Sequence, residues 1–168
     1  MITDASGNLL DAQVDALVNA VNTVGVMGKG IAFQFRRAYP AMYREYTKAA
    51  KAGDIHLGRM HVWSNDETLT GPRYIINFPT KGHWKARSRL ADIETGLDDL
   101  VKVIRHLGIS SIAVPPLGCG NGGLEWAQVR PLIERAFTAL PDVDIRVYLP
   151  IGAPRQLPAV RVSYGAQR

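Results

Sequence analysis

Two short apolar runs, each handed through a glycine-rich loop to a segment of helical period, constrain this chain more than any other feature. Ala16-Leu17-Val18-Asn19-Ala20-Val21 lies between polar flanks and is too short for a buried helix, so it reads as a buried strand. The loop Asn22-Thr23-Val24-Gly25-Val26-Met27-Gly28-Lys29-Gly30 follows, and Ile31–Arg37 continues it as a helix. The order recurs with Ile112-Ala113-Val114, the loop Pro115–Leu124, and a helix over Glu125–Leu140 despite Pro131. Strands alternating with helices predict an α/β fold, a three-layer α/β/α sandwich whose helices cover both faces of a mostly parallel or mixed central sheet. In such folds, sites form in loops past the carboxyl ends of strands, which is where both glycine loops fall.

The remaining elements fill in the same pattern. Pro40 stops one helix and opens the next, through Tyr46 to Ala52, with Gly53 as its end. His56–Trp63 and Arg73–Phe78 read as strands joined by a polar turn at Ser64-Asn65-Asp66. Leu90, Ile93, Leu97, Leu100, Val101 and Ile104 recur at helical spacing, which predicts a helix over Ser88–Leu107 with Ser88 as its cap and Gly108 at its end. Ile145–Leu149 reads as a last strand. Residues 1–150 form the predicted domain, and 151–168, with Gly152, Pro154, Pro158 and Gly165, read as a linker or flexible tail.

At 168 residues the chain has the size of one domain, with a radius of gyration of roughly 15 Å and about 70% of its unfolded surface buried. No apolar run approaches the roughly 20 residues of a membrane span, and Met1-Ile2-Thr3-Asp4 lacks the basic start of a signal peptide, so a cytoplasmic protein without membrane contact is expected. The single cysteine, Cys119, excludes a disulfide framework and a cysteine-rich zinc cage, and the four histidines show no metal spacing. The net charge of +5 points to an anionic partner only weakly, because Arg155, Arg161 and Arg168 sit in the acid-free tail.

Closely spaced glycines ahead of a helix let backbone N–H groups converge on a phosphate. The first loop is not a Walker A motif, because Thr23 stands where the first glycine belongs and Gly30 replaces the magnesium-holding hydroxyl residue. A tight turn would use the same glycines. Gly118, Gly120 and Gly123 match the G-x-G-x-x-G spacing of dinucleotide-binding folds, yet too little chain follows for a complete nucleotide-binding half. Two such loops after two strands point to a diphosphate held between them. Asn22 reads as a contact to a sugar hydroxyl, and Asn19 as structural. Residues 77–89 carry Lys81, His83, Trp84, Lys85, Arg87 and Arg89 and no acid. Basic residues around an exposed aromatic suit single-stranded nucleic acid, where bases stack and phosphates are neutralised. The phosphate contacts available there are few, so the salt dependence expected from this segment is shallow. Cys119 has no evident base partner and reads as a small residue fitting a tight loop.

The combination resembles the macrodomain family, which binds ADP-ribose. Its carriers are Ala16-Leu17-Val18-Asn19-Ala20-Val21-Asn22, then Gly28-Lys29-Gly30-Ile31-Ala32, then Val114-Pro115-Pro116-Leu117-Gly118-Cys119-Gly120, over about residues 1–150. Within the family, Asn77-Phe78-Pro79-Thr80-Lys81-Gly82-His83-Trp84 is similar to the DarG branch, antitoxins that remove ADP-ribose from thymidine bases of single-stranded DNA and reverse a DarT-like ADP-ribosyltransferase toxin. The resemblance implies that Gly25, Val26, Met27, Gly28, Lys29, Gly30 and Ile31, with Pro116, Leu117, Gly118, Cys119, Gly120, Asn121 and Gly122, grip the diphosphate and distal ribose. It places Asn22 near C1″ and Thr80 in the same pocket, with Asn8, Leu9 and Tyr148 around the adenine. Lys81 becomes the catalytic residue, and Lys81, His83, Trp84, Lys85, Arg87 and Arg89 the DNA-binding segment. A monomer without cofactor or metal is implied, continuing past Arg168 into a region that contacts the toxin.

Two positions depart from related patterns. Gly7-Asn8-Leu9 has Asn where many macrodomains carry the Asp that reads the adenine amino group, so that contact loses charge assistance. Asn121 stands where related lysine-using hydrolases have Asp, which leaves His83 as the substitute partner of Lys81. Lys81 either attacks C1″ as an amine or stabilises the departing base as an ammonium. A hydrolase of protein-linked ADP-ribose and an ADP-ribose reader without turnover stay open beside the DNA reading, with a nicotinamide-dependent dehydrogenase a distant alternative.

Overall fold

The structure, a computed structural model, describes residues 1–66 and 69–154; the expected tail from Arg155 onward lies outside the described residues. Six strands form one sheet: β1 (Ile2–Ala5), β2 (Ala16–Asn22), β3 (His61–Ser64), β4 (Tyr74–Lys81), β5 (Ser111–Val114) and β6 (Asp144–Tyr148). Their order is β1-β6-β5-β2-β4-β3, and every pairing is parallel except β3 with β4. Four helices cover it: α1 (Gly30–Ala38), α2 (Pro40–Lys51), α3 (Leu90–Leu107) and α4 (Trp126–Phe137). The expected sandwich with a mixed sheet is therefore present.

Alternation along the strands splits the core in two. Leu17, Val21 and Ile75 pack with Phe35, Met42 and Tyr46 of α1 and α2. Val18, Ile76 and Phe78 pack on the opposite face with Ile93, Leu97 and Ile133 of α3 and α4. The parallel strands all end at one edge, with β5 and β2 in the middle of the sheet and β4 beside β2. Their pairing runs residue for residue from Ala16 opposite Tyr74 to Val21 opposite Pro79, and then Asn22 stands opposite Lys81. Thr80 is the unmatched residue of a β-bulge.

The structure corrects several element boundaries. The strand expected over His56–Trp63 begins only at His61, because Gly58 takes a left-handed turn (φ 82°) and the Met60 N–H bonds the Asp99 carboxylate at 2.8 Å. Strand β4 runs past Phe78 to Lys81. Ser88 does not cap α3: Arg89 holds the N-cap position without a side-chain bond, and Ser88 is buried elsewhere. Helix α4 is shorter than Glu125–Leu140, with Glu125 at its N-cap. Strand β1 was not anticipated; Arg130 of α4 holds it through Asp4 at 2.7 Å, and it pairs with β6.

Gly96 of α3 rides on Phe78, where an added Cβ would lie 2.4 Å from the ring. Alanine is favoured over glycine in a helix by about 1 kcal/mol. Overpacking a buried ring costs about 1–3 kcal/mol, and Phe78 is wholly buried and has no room to retreat. Gly96→Ala is therefore expected to destabilise by up to about 2 kcal/mol, read as a lower urea midpoint at unchanged m-value.

Candidate active site

Three chain segments meet beyond the carboxyl ends of β2, β4 and β5. The first is the loop after β2, and Asn22 organises it. Its side-chain amide donates to the Val26 carbonyl at 2.7 Å, and its oxygen accepts from the Val24 and Val26 N–H groups at 3.2 Å each. The Tyr46 hydroxyl of α2 donates to the Asn22 carbonyl. Gly25 is left-handed (φ 84°) and lies so close to α2 that a Cβ would fall 2.9 Å from that of Ala50. Asn19, fully buried, donates to Asn77 at 3.1 Å, as a structural residue would. Asn22 keeps one amide hydrogen for a ligand beyond those bonds. The loop ends at the start of α1, where Lys29 holds the N-cap position without a side-chain bond. The first N–H groups of α1 have no partner within the helix, an arrangement that suits an anion.

The second segment follows β5. Gly118, Gly120 and Gly123 are left-handed, with φ of 72°, 68° and 77°. Side chains there are excluded sterically as well: a Cβ on Gly118 would lie 2.6 Å from Leu124, and one on Gly122 would lie 2.4 Å from the Ser88 hydroxyl. Leu117, Gly118 and Gly122 are buried, and Pro116 and Cys119 half-buried, so the loop offers a ligand mainly backbone. A Cβ on Gly30 would stand 3.4 Å from the Asn121 amide, so the two glycine loops face each other. Burial, and then Glu125, push the Cys119 thiol up to about 11, leaving it protonated and a poor nucleophile.

The third segment, 81–88, straps the two loops together. Thr23 donates its N–H to the Lys81 carbonyl at 3.1 Å and its hydroxyl to the Gly82 carbonyl at 2.8 Å. Ser88 donates its N–H to Gly122 at 2.9 Å, and Arg87 reaches the Gly123 carbonyl at 3.3 Å. The Lys81 amine sits at the junction, donating to the Trp84 carbonyl at 2.9 Å and the Asn121 carbonyl at 3.4 Å. Burial, and secondarily the positive charge of Lys29, lower its pKa from the ordinary lysine value. His83 stacks on Trp84 with ring centroids 3.7 Å apart, and its Nδ1 accepts the Lys85 N–H at 3.1 Å. That bond ties the Nδ1 edge of His83 to its own loop. Trp84, Lys85, Arg87 and Arg89 are exposed.

The outlying residues divide. Thr80 is buried and its hydroxyl donates back to Val21 at 3.2 Å. Leu9 belongs to the core, whereas Asn8 is exposed and its side-chain oxygen accepts the Leu10 N–H at 3.1 Å, with a lone pair left for an adenine amino group. Tyr148 ends β6 opposite Ala5, at the same sheet edge. Thr23, Tyr46, Ser88 and the charge effect of Lys29 on Lys81 had no signal in sequence, since each acts on a partner at least 24 residues away. No group of three or more metal-ligating side chains occurs among the described residues, and none of their helices is long and apolar enough to cross a membrane.

The family model of the Macro domain matches residues 18–133. The chain is 54% identical over 168 residues to a Mycobacterium tuberculosis protein named DNA ADP-ribosyl glycohydrolase, covering 98% of this chain and 47% of that one. A Thermosipho africanus DNA ADP-ribosyl transferase–DNA ADP-ribosyl glycohydrolase fusion protein is 34% identical over 171 residues, covering 94% of this chain and 43% of the fusion. The solved macrodomain of Mycobacterium tuberculosis DarG superposes with a TM-score of 0.88 at 57% identity, covering 89% of this chain and 98% of that one. This chain spans about half the length of the curated relatives it matches.

Lys29 and Lys81 carry like charges across the site, so removing one eases protonation of the other. Lys29→Gln is expected to raise the Lys81 pKa, so that acylation of Lys81 by an amine-directed reagent needs higher pH. Peptide mass spectrometry across a pH series reads this shift, and an unchanged profile would remove Lys29 as a cause.

Proposed function

The chain belongs to the Macro domain family, and on that premise we propose that it is a DNA ADP-ribosyl glycohydrolase, removing ADP-ribose from thymidine bases of single-stranded DNA as the antitoxin of a DarT-like ADP-ribosyltransferase. The observation that carries this reading is the Lys81 amine, held at the junction of two glycine loops that face each other. The names of the Mycobacterium tuberculosis and Thermosipho africanus relatives support the DNA substrate and the transferase partner. All three segments of the site come from one chain, which suits a monomer.

The chemistry follows from the geometry. The diphosphate lies between the start of α1 and the 118–123 loop, where backbone N–H groups fix it and so position the distal ribose. Breaking the bond from C1″ to the thymine nitrogen sends the electron pair to the base and leaves oxocarbenium character at C1″. Lys81 acts as an ammonium: two of its hydrogens go to the carbonyls of Trp84 and Asn121, and the third remains for the departing base. Transfer of that proton leaves neutral thymine and a neutral amine. Water adds to C1″, and the amine takes the water's proton, which restores the ammonium. A lysine of lowered pKa gives up its proton to the departing base more readily than an ordinary one, and the cycle needs no carboxylate at Asn121.

Lys81→Ala is expected to cut release of ADP-ribose from a modified oligonucleotide by about a thousandfold or more while ADP-ribose affinity changes little. Asn22→Ala opens the first loop and is expected to weaken ADP-ribose binding about tenfold, as loss of several loop hydrogen bonds would. Turnover assays on thymidine-modified DNA and calorimetry with ADP-ribose separate the two. Near-normal turnover by Lys81→Ala would sink the catalytic assignment, and release from ADP-ribosylated protein but not from DNA would sink the substrate.

A further inference from the structure

A second cationic surface lies on α2, beside the first glycine loop and across it from the 81–88 strap. Tyr43, Arg44, Thr47, Lys48 and Lys51 line a hollow there. Arg44, Lys48 and Lys51 stand at i, i+4 and i+7, on one helix face, and are exposed. None of the three forms an ion pair among the described residues. Arg36 of α1 adds a fourth cation at the rim, its guanidinium 4.5 Å from the Tyr43 ring centroid. Glu45, the single acid of α2, acts on His61 of the edge strand. Lys48 and Lys51 suit the C-terminal end of the α2 dipole, whereas Arg44, in the first half of the helix, gains nothing from it and repels Lys48 at i+4 by a few tenths of a kcal/mol.

The hollow is tied to the site. Gly25 packs on Ala50 and on the Thr47 backbone, and Tyr46 holds the Asn22 carbonyl. Thr23, at the other end of that loop, bonds the 81–82 backbone. Cationic ground therefore flanks the loop on both sides: Lys85, Arg87 and Arg89 on one, Arg44, Lys48 and Lys51 on the other.

We infer that the α2 hollow is a binding site for the sugar-phosphate backbone of single-stranded nucleic acid, taking phosphates of the substrate strand beyond the modified base. This rests on the reading of the chain as a DNA-acting enzyme. Charge complementarity and continuity with the site favour the nucleic-acid strand as occupant over an acidic protein segment. The salt dependence of binding is then steeper than residues 81–89 alone would produce.

The test uses the 168-residue chain, a labelled unmodified oligothymidylate and fluorescence anisotropy across a salt series. The triple variant Arg44→Gln, Lys48→Gln, Lys51→Gln is expected to weaken binding about tenfold at low salt. Its salt slope should be smaller by about 2, from about 0.7 per phosphate on a single strand. ADP-ribose affinity, measured in parallel, should not change. Unchanged DNA affinity and slope overturn the inference. So does loss of poly-glutamate binding with DNA binding intact, which would make the hollow a protein-docking surface. Failure of the wild-type chain to release ADP-ribose from modified DNA would refute the proposed activity through a different readout, leaving the anisotropy result to stand or fall by itself.

Discussion

The parallel pairing of β2 and β4 slips by one residue at its last rung, and Asn22 comes to lie beside Lys81 rather than Thr80. Strand side chains alternate between faces, so a shift of one residue changes which side chain a position presents. Pro79, which has no N–H to give a ladder, directly precedes the unmatched residue, in keeping with the tolerance of proline at bulges. Thr80 turns its hydroxyl back to the Val21 carbonyl and closes the irregularity. Thr23 then extends the pairing by its bonds to Lys81 and Gly82, which carries the chain toward Trp84 and the second glycine loop.

The site that results is short of negative charge. Residues 16–44 and 74–91 contain no acid, and both run through it. Lys29 and Lys81 oppose each other electrostatically, and the start of α1 adds positive potential. On the proposed reading, a diphosphate arriving there would offset all three at once, so its binding and the proton affinity of Lys81 would be linked, each favouring the other. Glycine makes this possible, because backbone N–H groups bring the anion close without placing further cations in the pocket.

Local regularities made much of this legible. The spacing of Leu90, Ile93, Leu97, Leu100 and Ile104 marked α3, and the apolar run 16–21 marked the central strand. The glycine loops were visible because their spacing is contiguous in the chain. Strand β1 was not, since Ile2-Thr3-Asp4-Ala5 has no apolar pattern and is held by pairing with β6 and by Arg130. Ser88 was misread as a cap because the residue type fits that role; its burial under Gly122 depends on a loop more than 30 positions away. Lys81 stood out as catalytic only through the family resemblance, and its orientation depends on a bulge that no local pattern announces. Asn22 read as a sugar contact, and its three bonds within its own loop became visible only in three dimensions.

The bonds that close the site join distant parts of the chain: Thr23 to Gly82, Lys81 to Asn121, Arg87 to Gly123. Helices α3 and α4 can form from neighbours in sequence, but these junctions must wait for loop closures whose entropy cost precedes any gain from the contact. The pocket is therefore complete only once these distant segments have met. A molecule that has reached its native secondary structure without completing these closures would look folded by circular dichroism and yet have no place for a ligand.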